Sequence, residues 1–405
     1  MSAEEFQPPV DVTFVMPCLD EAKTLPTCIK WALEAAEDLK KDGLSTEILI
    51  SDNGSTDGSQ ELARSLGARV TECPHRGYGN ALIWGGREAR GRYIVMGDSD
   101  ASYDFRDGAK MVRKLTEGYE LCMGTRLKGT IMPGAMPWKN QHIGNPILTG
   151  ILNLFFRSGL SDAHCGLRAF TKDAFFKMQL ESQGMEFASE MVVKAAILNL
   201  KRTEIPTTLH KDGRDRPPHL QPWRDGWRHL KFLLVYSPLW LFFIPALLSL
   251  LVGGGIIALL LSTPGDALAQ FAGLQLGDHW LPIASAILIV GYQFFLLGVV
   301  SCELHASQEF VSKRLPWYIK KMHAILSVNN LFIIGGSLLG IGTLLFLYVL
   351  ILWAGEGFGG LRAMRPLMLS TTALICGSFT FFVGFLFASV ESDASPCAVR
   401  KTDSQ

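Results

Sequence analysis

Four long apolar runs near the end of the chain set its architecture. They lie at about 236–261, 281–302, 329–353 and 366–390, and each approaches the ~20 apolar residues that a helix needs to cross a bilayer. A buried soluble core does not repeat such lengths four times in succession, so residues 236–390 are expected to form a transmembrane domain of about four helices. Most charged residues fall before about position 231, so the formal net charge of +0 averages a soluble part and a membrane part. Lys313, Arg314, Lys320 and Lys321 lie between the second and third runs. The stretch between the first and second runs holds Asp266 and Asp278 and no Lys or Arg. By the positive-inside rule the basic loop faces the cytoplasm, and an even number of spans puts both termini there too. Arg362 and Arg365, in the third loop, weakly oppose this.

The segment 220–235 combines Trp223 and Trp227 with Arg224, Arg228 and Lys231, the composition of an amphipathic helix lying at headgroup depth. Residues 391–405 are left as a cytoplasmic tail. Met1 to Val10 is acidic, contains Pro and has no apolar core, so no cleavable leader is expected and the N-terminal domain is expected to be cytoplasmic. The eight cysteines form no C-x-x-C pair, and Cys302 and Cys376 sit inside apolar runs. This speaks against zinc and a disulfide framework and fits a reducing compartment.

Residues 1–219 alternate short apolar runs with amphipathic periods. Val12 to Met16 reads as a strand and Leu25 to Lys40 as a helix. The pattern repeats through Glu47–Ile50 and Ser59–Leu66, Ala68–Thr71 and Asn80–Ala89, and Tyr93–Met96 and Asp107–Glu117, with Tyr119–Met123 as a further strand. Such alternation predicts an α/β domain on a mainly parallel, Rossmann-like sheet covered on both faces. Gly124 to Asn145, rich in Gly, Pro and Met, reads as an irregular lid or groove wall, and Pro146 to Phe156 as a helix.

Ligands of open parallel sheets bind at the carboxyl ends of the strands, and here those ends are acidic. Strand one runs into Pro17-Cys18-Leu19-Asp20-Glu21, strand two into Asp52-Asn53-Gly54-Ser55-Thr56-Asp57, and strand four into Asp98-Ser99-Asp100. Carboxylates brought together at one edge repel one another unless a cation or a set of donors lies between them. The Asp98-x-Asp100 spacing lets two carboxylates reach one locus, as a hard cation such as Mg²⁺ or Mn²⁺ requires, with phosphate oxygens completing its shell.

These residues resemble the inverting GT-A-fold glycosyltransferases of family 2, and within them the polyprenyl-phosphate hexosyltransferases such as dolichol-phosphate mannose synthase and undecaprenyl-phosphate glucosyltransferase. The resemblance rests on Met16 to Glu21, Asp52 to Asp57, Arg76-Gly77-Tyr78-Gly79-Asn80-Ala81, Asp98-Ser99-Asp100, Gly124-Thr125-Arg126 and Asp162 to Arg168, which together span most of residues 11–215. It implies that Pro17, Glu21 and Asp52 line a nucleoside pocket, and that Gly77 and Gly79 let the backbone approach the nucleotide. Asp98 and Asp100 would serve ribose and metal. Ser102 stands where relatives can carry a Gln metal ligand, and Asn53 where the family often has a second Asp. Arg126, Arg168 and the basic loop Lys211 to Arg216, with Arg214 in it, would neutralise phosphate oxygens, a role suited to the planar guanidinium fork. Asp162 would lie at the reaction centre with Asp100 and Arg126, and Glu190 would be a helix-borne orienting acid. His164 is assigned no catalytic role.

The resemblance thus implies inverting transfer of a hexose from a nucleotide sugar of GDP-mannose or UDP-glucose type to a dolichyl or undecaprenyl phosphate. The enzyme would be a multi-pass integral membrane protein, of the inner or plasma membrane if bacterial, with no nucleic-acid partner; a homo-oligomer is compatible with the sequence. Two alternatives stay open. One is a processive polysaccharide synthase, whose Q-x-x-R-W motif is only approximated by Gln221-Pro222-Trp223-Arg224-Asp225. The other is a catalytically inactive membrane scaffold.

Overall fold

The computed structural model describes residues 10–214, 222–264, 268–271, 274–306, 326–360 and 363–394. The chain divides into two compact units, Met1–Leu233 and Leu234–Gln405.

The first unit is built on a seven-stranded sheet: β1 (Val12–Cys18), β2 (Thr46–Asp52), β3 (Arg69–Glu72), β4 (Tyr93–Met96), β5 (Leu121–Ile131), β6 (Arg168–Thr171) and β7 (Arg202–Leu209). Their spatial order is β3-β2-β1-β4-β6-β5-β7. β1 pairs in parallel with both β2 and β4, and β6 runs antiparallel to β4 and β5. Helices α1 (Leu25–Lys41), α2 (Ser59–Ser65), α3 (Tyr78–Glu88) and α4 (Asp107–Thr116) form the crossovers. In α1 the buried residues Leu25, Cys28, Ile29, Ala32, Ala35 and Leu39 recur every three or four positions, and Lys40 and Lys41 close its carboxyl end, where positive charge is favoured by the helix dipole. Chain order reverses around β1, so the crevice between the carboxyl ends of β1 and β4 is the topological switch point where such sheets bind ligands.

Two departures from the sequence reading have local causes. The segment 124–131 is not an irregular wall: β5 continues to Ile131, and its pairing with β7 slips between Thr125 and Thr130. A bulge of this kind lets a Gly-rich stretch stay in the sheet while its edge bends. The strands β6 and β7 were not foreseen either. β6 is only four residues long and begins with an arginine. β7 carries Pro206, tolerated because an edge strand need not donate from every residue. The unit continues through a π-helical turn (Asn140–Gly144), α5 (Asn145–Phe156), α6 (Lys172–Met178), α7 (Phe187–Ile197) and most of α8 (Pro222–Val235).

The second unit holds α9 (Ile244–Ser262, entered through a π-helical turn at Leu239–Phe243), a short hairpin of β8 (Ala269–Phe271) and β9 (Leu274–Leu276), then α10 (Leu281–Ala306), α11 (Val328–Gly355) and α12 (Met364–Ala394). Four helical segments, Leu239–Ser262, Asp278–Leu304, Val328–Gly355 and Met364–Ser389, are long and apolar enough to cross a membrane, and they coincide with the four expected runs. Inside the unit the Tyr292 hydroxyl and Thr380 Oγ1 are 2.6 Å apart, joining α10 to α12. Arg365 donates to both oxygens of Asp278 and to the Thr263 carbonyl. This pairing joins the start of α12 to the turn before α10.

The seven described cysteines are free thiols. Met1 to Pro9, the start of the 220–235 segment, Asp266, the four basic residues from Lys313 to Lys321, Arg362 and residues 395–405 lie outside the described residues.

Candidate active site

The carboxyl edge of the sheet carries a cavity of about 440 Å³ at the switch point. Of the residues singled out in the sequence, Pro17, Glu21, Gly77, Asp98, Asp100 and Arg214 line it. The loops that follow β1 and β4 are locked together. Ser99 Oγ donates to the Pro17 carbonyl at 2.6 Å, and Thr24 Oγ1 donates to the Ser99 carbonyl at 2.7 Å. The other acids of this edge are spent on the backbone. Asp20 accepts from Thr56 N–H, Asp57 accepts from Ala22 N–H, and Asp52 Oδ2 takes Gly54 N–H, Ser55 N–H and the Gln60 amide. Converging acids thus sort into two sets, one building loops and one facing the cavity.

Arg214 sits between the cavity acids. Its Nη2 lies 2.7 Å from Glu21 Oε1 and its Nη1 3.2 Å from Asp100 Oδ2. The Gly213 N–H donates to the Asp100 carbonyl, which fixes the segment before it. Asp98 accepts the Tyr78 hydroxyl at 2.8 Å. Burial and then the neighbouring Asp100 charge push the Asp98 carboxyl up to about 6, although Tyr78, Arg214 and Arg168 pull the other way. Two adjacent carboxylates under this strain suit a hard divalent cation, which relieves their repulsion and takes oxygen donors. Asp98 and Asp100 therefore fit a metal, while among the described residues no third His, Cys, Asp or Glu completes a cluster.

Ser102, expected as a further metal ligand, is not at the cavity wall. Its N–H and hydroxyl both donate to Asp100 Oδ1, so it orients that carboxylate. Asp52 also stands behind the wall, 1% exposed, with its Oδ1 buried and without a hydrogen-bond partner. Asn53 reaches the cavity and uses both ends of its amide, donating to the His75 carbonyl and accepting from Gly77 N–H. An aspartate could only accept there. Gly77 has φ 138°, and a Cβ on it would lie 2.5 Å from the Gln183 carbonyl; on Gly79 the clash with the Ser182 carbonyl would be 2.0 Å. In this structure these glycines admit the 182–184 backbone. Glu190 holds that segment by accepting from Glu181 N–H and Ser182 N–H, and pairs with Lys194 at 2.7 Å.

Arg126, Asp162 and Arg168 are not brought to the cavity. Arg126 donates through Nε and Nη2 to the two oxygens of Asp162, both at 2.7 Å, and through Nη1 to the Tyr103 hydroxyl. Burial raises the Asp162 carboxyl, but the hydrogen bonds and charge of Arg126 outweigh it and hold the group below the usual carboxylate range. Arg168, 3% exposed, donates to the carbonyls of Cys165 and Ala188. The Arg126–Asp162 pair ties β5 to the loop at 162, and Arg168 ties β6 to that loop and to α7. His164 Nε2 lies 3.2 Å from Ser189 Oγ, which lies 2.8 Å from His229 Nδ1. Burial, followed by His229, pulls the His164 imidazole down to about 3. This chain of contacts fastens α8 to α7.

Residues 13–178 match the family model described as "Glycosyl transferase family 2", and residues 301–391 match "Glycosyltransferase family 2 C-terminal transmembrane region". The low-salt glycan biosynthesis hexosyltransferase Agl6 of Haloferax volcanii is 35% identical over 386 residues, 94% of this chain and 89% of that protein. The chain belongs to glycosyltransferase family 2. Glycosyltransferase AglJ of the same organism is 35% identical over 225 residues, covering 54% of this chain and 69% of AglJ. Among solved structures, glucosyl-3-phosphoglycerate synthase from Mycobacterium tuberculosis, in complex with Mn²⁺, uridine diphosphate and glucosyl-3-phosphoglycerate, is similar at 19% identity and a TM-score of 0.44. It covers 56% of this chain and 80% of that one.

In this family 2 chain the cavity also exposes residues that sequence reasoning left without a role. Tyr78 lines it from the start of α3, Arg76 from the loop before it, and Arg224 and Arg228 from α8. The signal for the last two was present in the sequence as basic residues four apart on an amphipathic helix, a spacing that places both on one face.

Proposed function

We propose that this glycosyltransferase moves a hexosyl group, with inversion, from a nucleotide sugar to a polyprenyl phosphate at the cytoplasmic membrane face. The observation that carries the reading is the lining of the cavity, which combines Glu21, Asp98, Asp100 and Asp212 with Arg76, Arg214, Arg224 and Arg228. A nucleotide sugar and a phosphate acceptor together bring more anionic oxygens than a hydroxyl acceptor would, and this wall supplies arginines for both. The name of the Haloferax relative supports hexosyl transfer. The orientation rests on the basic loop from Lys313 to Lys321.

The chemistry follows from the acceptor. A phosphate monoester, with its second pKa near ~6, is already an anionic nucleophile at neutral pH and needs no general base. Its oxygen attacks the anomeric carbon from the face opposite the nucleoside diphosphate, so one C–O bond forms as the other breaks and the configuration inverts. The orphaned Asp52 Oδ1 suits a donor N–H or hydroxyl of the nucleoside after a small loop adjustment. Arg214, placed between Glu21 and Asp100, is positioned to exchange a carboxylate for a diphosphate oxygen. Mg²⁺ or Mn²⁺ held by Asp98 and Asp100 would supply Lewis-acid stabilisation of the leaving diphosphate.

Membranes carrying the protein, incubated with radiolabelled hexose nucleotides and a polyprenyl phosphate, should yield an organic-soluble, mild-acid-labile product. Label recovered as polymer would replace this reading with a processive synthase, and absence of product with every hexose nucleotide would leave the scaffold.

A further inference from the structure

Arg224 and Arg228 stand one helical turn apart on α8, and both line the cavity that holds Asp98 and Asp100. Helical spacing of four residues directs the two guanidinium groups to the same side. The helix is set in place from its other face. Leu233 is fully buried, His229 is 7% exposed, and the His229 ring meets His164 edge-on at 4.9 Å between centroids, with Ser189 bridging the two. Trp227, on a third face, is 63% exposed. Helix α8 therefore has a docked side, an outward aromatic and an arginine pair directed at the cavity.

Arg214 is engaged by Glu21 and Asp100 at the end where the β1 and β4 loops meet. The α8 pair comes from a different element, on a helix that only Tyr236, Ser237 and Pro238 separate in sequence from Leu239, where the first apolar span begins. A phosphate attached to an apolar chain has its charged and greasy ends adjacent, as this stretch of sequence has.

We propose that Arg224 and Arg228 form a phosphate clamp for the acceptor, distinct from the groups that hold the donor diphosphate. This assignment rests on the polyprenyl-phosphate reading above and names the side chains that serve it. Two forks on one helix face can each give a terminal phosphate oxygen two N–H donors. They hold the anion in one orientation, which is what in-line attack demands. The remaining acceptor oxygen is then the one directed at the anomeric carbon.

The test separates the two substrates. In detergent-solubilised full-length protein, R224Q and R228Q should each raise the KM for a short-chain prenyl monophosphate by about 10- to 100-fold, the loss expected for a charge-assisted hydrogen bond. The Kd for UDP or GDP, whichever nucleotide the wild type binds, should stay within about twofold, which also reports that the variants fold. R224K and R228K, which keep charge and lose the fork, should fall between. An acceptor KM unchanged in both Gln variants would overturn the clamp, and so would a nucleotide Kd that rises in step with it. Failure of the underlying reading looks different: wild-type protein would make no prenyl-phosphate product at all. Inorganic phosphate binding, compared between wild type and R224Q/R228Q, would then decide the clamp, loss in the double variant supporting an anion site and equal binding removing it.

Discussion

At the carboxyl ends of β1 and β4, Glu21, Asp98 and Asp100 face a cavity and meet the guanidinium of Arg214. Beside β5, by contrast, Asp162 is fully buried and takes both arms of Arg126. Both regions hold acids and arginines drawn from motifs of the same family, yet their charge balance is opposite. Where the β1 and β4 loops meet, Glu21, Asp98 and Asp100 outnumber the one guanidinium of Arg214, and burial followed by the Asp100 charge pushes the Asp98 carboxyl up to about 6. The Arg126–Asp162 pair is satisfied internally, with Tyr103 taking a further guanidinium N–H. An excess of like charge at a strand edge marks a place prepared for a ligand, whereas a closed bidentate pair marks a joint.

The sharpest way to break this comparison is to remove one acid from each side. Asp100→Asn should lower sugar transfer by about 10³-fold, the size of effect seen when electrostatic stabilisation is lost at a reacting centre, while the thermal midpoint changes little because relief of repulsion with Asp98 offsets the lost ion pair with Arg214. Transfer assays and melts on the same detergent preparation read both. Wild-type turnover would dismiss Asp100 from the site.

Asp162→Asn should act on the fold instead. Breaking a buried pair leaves Arg126 uncompensated, which costs about 3–5 kcal/mol and should appear as a lowered melting midpoint with nucleotide affinity retained below it. A variant that melts normally but has lost acceptor affinity would return the pair to the reaction centre. A smaller effect is expected from Gly79→Ala, whose methyl would press on the Ser182 carbonyl. The overpacking should cost about 1–3 kcal/mol and weaken nucleotide binding several-fold by displacing Gly184 and Met185 from the cavity wall. Calorimetric titration of the nucleotide would show whether that loop matters to the donor.

The mildest effect concerns pH. His164 protonates at about 3 in the fold, because it is buried and faces His229, and near ~6.5 in an unfolded chain. Between those values the unfolded state holds more protons, so stability should fall as the pH is lowered from about 6.5 towards 3. Asp162, with its carboxyl held low, adds a further loss only once the pH drops below the ordinary carboxylate range. His164→Gln should flatten the slope between about pH 6.5 and 5 in a series of thermal melts. An unchanged slope would place the acid sensitivity elsewhere.

Much of the fold could be read from local pattern. The alternation up to β5, the crossover helices and the four apolar runs all follow from periodicity within windows of ten to twenty residues. β6 and β7 escaped because one is four residues long and the other contains Pro206, so neither shows a clean alternation. The site was legible in part for a related reason. Pro17 lies at the end of β1, and Glu21, Asp98 and Asp100 come soon after strands whose ends the topology gathers, so their place at the cavity is a consequence of the strand pattern.

What the sequence by itself determined is therefore a parallel-sheet domain with acids at its carboxyl edge, followed by four helices able to span a bilayer, because local periodicity and run length carry that information. Only the tertiary structure decided which charges are spent on one another. Arg126 meets Asp162 across 36 residues of chain, and Arg214 meets Glu21 across 193. Ser102 donates its N–H and hydroxyl to Asp100, and Arg224 and Arg228 line the cavity while His229 and Leu233 are buried on the other side of α8. A charged side chain carries its sign in the sequence. Its partner is set by what folding brings within about 3 Å, where a hydrogen bond can replace water.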